Sequence, residues 1–198
     1  MQANGVDAWL ATTGDAHLSE YLSERWRTRA WLSGFNGSAG RFVVTADQAG
    51  LWVDPRYHMR ADTETAGTAI TVFKEGKPET PELTTWLSET LPAGSVVGID
   101  PESVSAEALH ELERRLAPAR ITVRPCLGLI DEVWLDRPAD VPTPIVDHPL
   151  EFAGEAAADK LGRLRARLTE AGAASMLVTA LDEVAWLLNL RGNDVPMN

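Results

Sequence analysis

The sequence predicts an α/β fold built on a mixed sheet. Strand-like and helix-like segments alternate from residue 6 to residue 125, which points to parallel strands joined by helical crossovers. Two of the strand-like segments follow one another across a short polar turn, which points to an antiparallel hairpin inserted among them. A third observation extends the prediction. A proline-rich break is followed by a partial repeat of the opening segment, so an incomplete second copy of the same fold is expected after the first.

The elements follow in order. Val6–Thr12 (VDAWLAT) and Arg41–Ala46 (RFVVTA) are short apolar runs of strand length, and Gly50–Asp54 (GLWVD) completes a hairpin with the second of them. Arg56–Ala66 (RYHMRADTETA) reads as a helix and Thr68–Phe73 (TAITVF) as a strand. Pro81 suits the first turn of a helix running through Leu91, where its missing N–H costs nothing. Ser95–Asp100 (SVVGID) is a strand. Leu109, Leu112 and Leu116 then recur at three- and four-residue spacing, one buried stripe of a helix, and Arg120–Pro125 (RITVRP) closes the series as a strand. Asp136–Pro149 carries four prolines in fourteen residues, too many for a helix or a central strand, and is expected to be irregular. The expected organisation is a first domain over 1–136, a Pro-rich linker over 137–152 and a truncated second domain over 153–198. In the last part Ala157, Leu161, Leu164 and Leu168 line one helical face, and Gly172 is placed to cap that helix.

Composition narrows the function classes. The chain has 198 residues, 44% hydrophobic and 24% charged, ordinary values for a globular protein that needs neither disulfides nor metals to be stable. Its net charge of −11 argues against nucleic acid as a partner, because phosphate backbones reward Lys and Arg. No apolar run approaches the roughly 18 residues of a membrane span, and the given sequence does not open on a basic-plus-apolar pattern. A single cysteine, Cys126, permits no internal disulfide; a reducing, cytoplasmic setting is expected, with Cys126 a buried small hydrophobe. The seven tryptophans sit singly within strand and helix patterns and read as core or interface anchors.

The repeat is read residue against residue. GVDAWLATTGD (Gly5–Asp15) lies over GAASMLVTALD (Gly172–Asp182), matching Gly5 with Gly172, Leu10 with Leu177, Thr12 with Thr179 and Asp15 with Asp182. AWLSGFNG (Ala30–Gly37) lies over AWLLNLRG (Ala185–Gly192), so the first copy carries an insertion of about twelve residues, HLSEYLSERWRT or thereabouts. Ala173–Thr179 is therefore expected to be a strand equivalent to Val6–Thr12, though displaced, mobile or paired with another chain because its copy is cut short, and Trp186 the counterpart of Trp31. Met1 falls on Leu168, an apolar position of the helix before the second copy. The expectation is that Met1 is an internal methionine and that the chain is trimmed at both ends.

GDAHLSEYLSERWRTRAWLSGFNGSAGRFVVT, WVDPRYHMRAD and TALDEVAWLLNLRGNDV, in this order, resemble the N-terminal region of the Xaa-Pro aminopeptidases (aminopeptidase P), in particular the long, three-domain form. The resemblance runs from about Gly5 to Val195. It implies a creatinase-type N-terminal domain followed by a related second one, both preceding a pita-bread catalytic domain. That last domain would hold two metal ions, usually manganese, and release an N-terminal residue that lies before proline. The implied partners are a peptide with proline at its second position and a second copy of the chain in a homo-oligomer. Pro55 departs from the family, which more often has Gly or Ser there. A prolidase or creatinase relative, and a binding module without a catalytic half, are the alternative readings.

Candidate residues are few. A dinuclear hydrolase needs converging Asp, Glu and His ligands, and His17, His58, His110 and His148 lie on four separate segments without a ligand-like spacing. No catalytic or metal-binding residue is expected in this chain, and no cofactor. Gly34, Gly37 and Gly40 fit neither the dinucleotide nor the Walker pattern and read as a turn. Asp15, His17 and Ser19 could suggest a hydrolytic triad, but no G-x-S-x-G elbow accompanies them. Arg56 is the one site candidate. It follows a strand end, where ligands meet α/β sheets, and the resemblance, carried by Trp52, Asp54, Arg56 and Tyr57, implies a role in peptide binding. The competing reading is that Arg56 merely pairs with Asp54.

Overall fold

The computed structural model describes residues 1–140 and 142–195. They form two compact units that divide between Pro138 and Ala139.

The first unit is built on β1 (Ala8–Ala11), β2 (Arg41–Val44), β3 (Ala49–Val53), β4 (Ile70–Lys74), β5 (Val96–Ile99) and β6 (Thr122–Pro125), in the order β4-β3-β2-β1-β5-β6. β2 runs antiparallel to β1 and β3, with Leu10 opposite Val43 and Phe42 opposite Leu51; every other neighbouring pair is parallel. The sheet is thus mixed, and the hairpin is where the sequence places it.

Side chains alternate across a strand, and here both faces are covered, so the strands read as continuous apolar runs. Ala8 and Leu10 join Val43, Trp52, Val97 and Ile99 on one face. Leu83 and Leu87 of α3 (Leu83–Thr90) and Leu112 and Leu116 of α4 (Ala106–Leu116) pack onto it. Trp9 and Ala11 join Phe42, Leu51 and Val53 on the other, beneath Phe35, Ala61 of α2 (His58–Glu64), and Leu129, Ile130 and Trp134. Ser105 caps α4 by accepting the Ala108 N–H at 3.1 Å. α1 (Thr28–Ser33) ends on Gly34, whose φ of 73° is a left-handed conformation that suits glycine.

Three expectations are corrected here. The helix anticipated from Pro81 starts at Leu83, because Glu82 is extended and the Pro81 carbonyl accepts the indole N–H of Trp52 at 3.0 Å. The helix anticipated over Arg56–Ala66 divides into a 3-10 turn at Pro55–Tyr57 and α2, because Asp54 accepts the Arg56 N–H and starts the tighter turn first. Cys126 is half-buried, at the border of the second face.

The second unit holds α5 (Leu150–Ala153), α6 (Ala157–Glu170), α7 (Leu181–Leu188) and a two-stranded ribbon of β7 (Val146–Asp147) and β8 (Leu190–Arg191). The stretch read as irregular therefore contributes β7. Val146 and Asp147 lie between Pro144 and Pro149, where each residue keeps its N–H for pairing. Gly172 caps α6 as expected: the Gly172 N–H bonds the Thr169 carbonyl at 3.1 Å and the Ala173 N–H the Leu168 carbonyl at 2.9 Å, a Schellman arrangement. Leu161, Leu164 and Leu168 are only half-buried, and the buried residue of α6 is Lys160. Its ammonium donates to the Trp186 carbonyl (2.8 Å) and to Asn189 Oδ1 (2.7 Å), placing a cation at the negative end of α7.

The repeat is visible in the backbone but not in the sheet. Gly5 and Gly172 share positive φ (60° and 67°), as do Gly34 and Asn189 (73° and 54°), and α1 and α7 each end one residue before the second pair. Trp31 and Trp186 are comparably exposed. Residues 173–179, read as a strand, have no ladder partner among the described residues. Leu177 is 85% exposed where its counterpart Leu10 is 3% exposed.

Candidate functional site

With β2 alone reversed, the C-terminal ends of five strands and the start of β2 collect along one edge of the first sheet. Thr12 and Thr13 follow β1, Asp54–Tyr57 follow β3, Asp100–Ser103 follow β5, and residues 34–40 lead into β2. Ligands of open α/β sheets bind along such an edge, most often where neighbouring connections leave in opposite directions. Here that point lies between β1 and β5, and it is closed. Thr12 Oγ1 donates to the Ser103 carbonyl at 2.8 Å and lies 3.0 Å from Ser103 Oγ. The cavity left beside Trp9, Gly14 and Asp100 is about the size of one water, too small for a nucleotide.

The edge is open at Arg56, whose side chain is 65% exposed. Asp54 accepts the Arg56 backbone N–H at 2.9 Å and grips the guanidinium, with Nη2 at 2.7 Å from Oδ2 and Nε at 3.2 Å from both oxygens. This bond to Arg56 holds the Asp54 carboxyl below its usual range, and the same bond raises Arg56 above its own. A guanidinium carries five N–H donors, and the pair engages the Nε–Nη2 side of the fork, so a second acceptor has donors to meet on the Nη1 side. The structure therefore contains both features that the sequence left open: an exposed cation, and a partner already on it.

Around Arg56 the structure assembles Tyr57, which belongs to the same motif, with Ser38, Phe35 and Arg29, which no sequence pattern marks as a site. The Arg56 guanidinium lies over the Tyr57 ring, 5.3 Å from its centroid. The Tyr57 hydroxyl bonds Ser38 Oγ at 2.8 Å, which draws the phenol below its usual pKa, and its ring meets Phe35 edge-on at 5.7 Å. Behind them Arg29 is buried, 5% exposed. Its Nε donates to Thr13 Oγ1 (3.0 Å), Nη1 to the Phe35 carbonyl (3.0 Å) and Nη2 to the Gly37 carbonyl; the Thr13 hydroxyl donates onward to the Gly40 carbonyl at 2.9 Å. A Cβ at Gly37 would come within 2.3 Å of the Phe35 ring, so glycine is what lets the loop fold over it. Burial, with the charge of Arg27, pushes the Arg29 pKa down to about 10, still protonated at neutral pH. Burial acts against the Glu64 carboxylate, but the Asn36 N–H at 2.8 Å and Arg60 at 2.8 Å outweigh it and hold its pKa low. The G-x-x-G-x-x-G segment is thus a turn, tied down by a buried arginine. The signal that could have found Arg29 is the repeat itself: Val184 stands at the matching position of the second copy.

The other candidates resolve simply. Asp15 is buried, and its Oδ1 accepts the backbone N–H groups of His17 and Ser19, both at 2.9 Å, so the carboxylate orders a loop and not a histidine ring. Among the described residues no group of three or more His, Cys, Asp or Glu comes together to hold a metal ion. Nor is any helix among them long and apolar enough to cross a membrane.

A six-stranded mixed sheet of this order, with Arg56 exposed at its edge, defines an α/β domain. Residues 1–133 match the family described as Creatinase/Prolidase N-terminal domain, and residues 136–198 match a second family of the same description. The chain belongs to the creatinase/prolidase N-terminal domain family. It is 40% identical over 195 residues to aminopeptidase P2 of Arabidopsis thaliana, covering 97% of this chain and 27% of that protein. It is 39% identical over 196 residues to the Xaa-Pro aminopeptidase ApepP of Drosophila melanogaster, covering 98% of this chain and 32% of that one. Among solved structures, the X-prolyl aminopeptidase of Caenorhabditis elegans, described as a cytosolic enzyme with a di-nuclear active site, superposes with a TM-score of 0.85 at 36% identity, over 98% of this chain and 32% of that one. The chain thus spans about a third of the length of the relatives it matches.

Proposed function

We propose that this chain is the N-terminal, non-catalytic segment of an Xaa-Pro aminopeptidase, comprising one complete α/β domain, a Pro-rich linker and the beginning of a second, related domain. The observation that carries the reading is the likeness to aminopeptidases P along nearly the whole chain, at about a third of their length. Among the described residues no group of His, Cys, Asp or Glu converges as a dinuclear metal centre needs. Metal chemistry, with manganese the expected ion, belongs to the remainder of the enzyme, which works in the cytoplasm on peptides with proline in second place. The first domain borders the active-site mouth, offers Arg56 to the peptide, limits access to short substrates and contributes to subunit contacts.

The test is a full-length enzyme lacking residues 1–138, compared with the intact one across a series of Xaa-Pro peptides of increasing length. Retained metal content with an altered length profile is expected. A length profile identical to that of the intact enzyme, from a folded protein, would dismiss the access role.

A further inference from the structure

The buried arginine beneath the open edge is present in only one of the two copies. In the overlay Arg29 stands against Val184, Thr13 against Ala180 and Phe35 against Leu190, while the helix and its left-handed cap recur in both. The helix–turn unit of the second copy carries no charge at that position and is tied instead from α6, by Lys160 to the Trp186 carbonyl and Asn189 Oδ1. A guanidinium taken out of water is costly unless its donors are met, and those of Arg29 are met by the Phe35 and Gly37 carbonyls and the Thr13 hydroxyl. In the first unit the charge sits under the loop from Phe35 to Gly40, against which Tyr57 leans with Arg56 over its ring.

We propose that Arg29 is a positioning residue for peptide binding: its three-way bonding to Thr13, Phe35 and Gly37 fixes the loop that, through Ser38 and Phe35, holds Tyr57 beneath Arg56. The inference rests on the reading of Arg56 as a peptide contact. Each link is short. Arg29 bonds two carbonyls of the loop and the Thr13 hydroxyl. The loop supplies Ser38 Oγ at 2.8 Å to the Tyr57 hydroxyl and the Phe35 ring to its edge. Tyr57 carries the guanidinium on its face. Glu64, bonded to the Asn36 N–H, anchors the same loop from α2. Lysine cannot stand in for Arg29, because one compact ammonium does not reach acceptors spread around a planar fork. Tyr57→Phe breaks the last link alone and leaves the buried charge in place.

The experiment is a set of double-mutant cycles in the full-length enzyme on an Xaa-Pro peptide: Arg56→Ala, Tyr57→Phe, Ser38→Ala and Arg29→Lys, each of the last three also combined with Arg56→Ala. Tyr57→Phe and Ser38→Ala are expected to raise KM about 2- to 10-fold, the loss of one hydrogen bond, with kcat held. Arg29→Lys is expected to exceed both. In the Arg56→Ala background each effect should shrink to less than about 2-fold, because the group being positioned is gone. If Arg29→Lys does not fold, Thr13→Val, which removes one of the three acceptors of Arg29, takes its place in the cycles with the same expectation. Effects that persist undiminished without Arg56 overturn the positioning role while leaving Arg56 a peptide contact. An inert Arg56→Ala removes that contact, and the proposal with it.

Discussion

Two substitutions two residues apart separate the readings of Arg56. Arg56→Ala deletes the cation, whereas Asp54→Asn deletes the charge that grips it and keeps an oxygen to accept the Arg56 backbone N–H, now at 2.9 Å. If Arg56 exists to pair with Asp54, the two variants break the same bond and should behave alike, with little effect, because exposed ion pairs contribute little. If Arg56 meets the peptide, they part. Arg56→Ala loses a charge-assisted hydrogen bond and should lower kcat/KM roughly 10- to 150-fold. Asp54→Asn releases a fork whose Nη2 is now held at 2.7 Å and should leave kcat/KM within about 3-fold of the parent, or above it. Arg56→Lys should recover only part of the loss, since a point charge does not reproduce the fork. The assay is steady-state release of the N-terminal residue by full-length enzyme, with metal content and melting temperature measured in parallel. Equal kinetics for Arg56→Ala and Asp54→Asn would refute the reasoning.

Other expectations concern the fold. Leu116 is fully buried between α4 and the sheet, so Leu116→Ala should destabilise the first unit by about 2–5 kcal/mol in urea titrations, and a loss under 1 kcal/mol would contradict the packing described. Glu64 has a pKa below its reference of 4.5, so it contributes stability that is present above that pH and lost as pH falls through the folded value. Glu64→Gln should therefore lower the melting temperature at pH 7 and flatten its decline below pH 4.5; a parallel acid limb would remove Glu64 from the account. Limited proteolysis should cut first between residues 139 and 145, where Ile145 is 70% exposed, and first cleavage within residues 41–53 would contradict the division into units.

Much of this architecture was legible because period and punctuation agreed. GLWVD and RFVVTA announced a hairpin, the Leu109–Leu112–Leu116 stripe announced α4, and Gly172 announced a helix end. Boundaries were less legible wherever a side chain outranked the backbone signal. Pro81 stays outside α3 because its carbonyl serves Trp52, and Asp54 turns the start of the next helix into a tighter coil. The strand read at residues 173–179 failed for a different reason. A strand is defined by its neighbours, and its apolar residues say nothing about whether those neighbours are present. At the site, Arg56 could be named from its place after β3, but the bond to Asp54 left its role undecided. Arg29 is hard to see because a single arginine in a short helix looks like surface; the mismatch with Val184 in the repeat is its one trace in the sequence, and burial with three converging acceptors distinguishes it in the structure.

The account places all the chemistry outside these 198 residues, and that claim is open to one direct measurement. The purified chain, supplemented with manganese and cleared of contaminating peptidases, is offered an Xaa-Pro peptide beside the full-length enzyme. The account predicts metal-dependent release of the N-terminal residue by the full-length enzyme and none by the chain. Turnover by the chain itself, tracking its concentration and abolished by chelation, would contradict it.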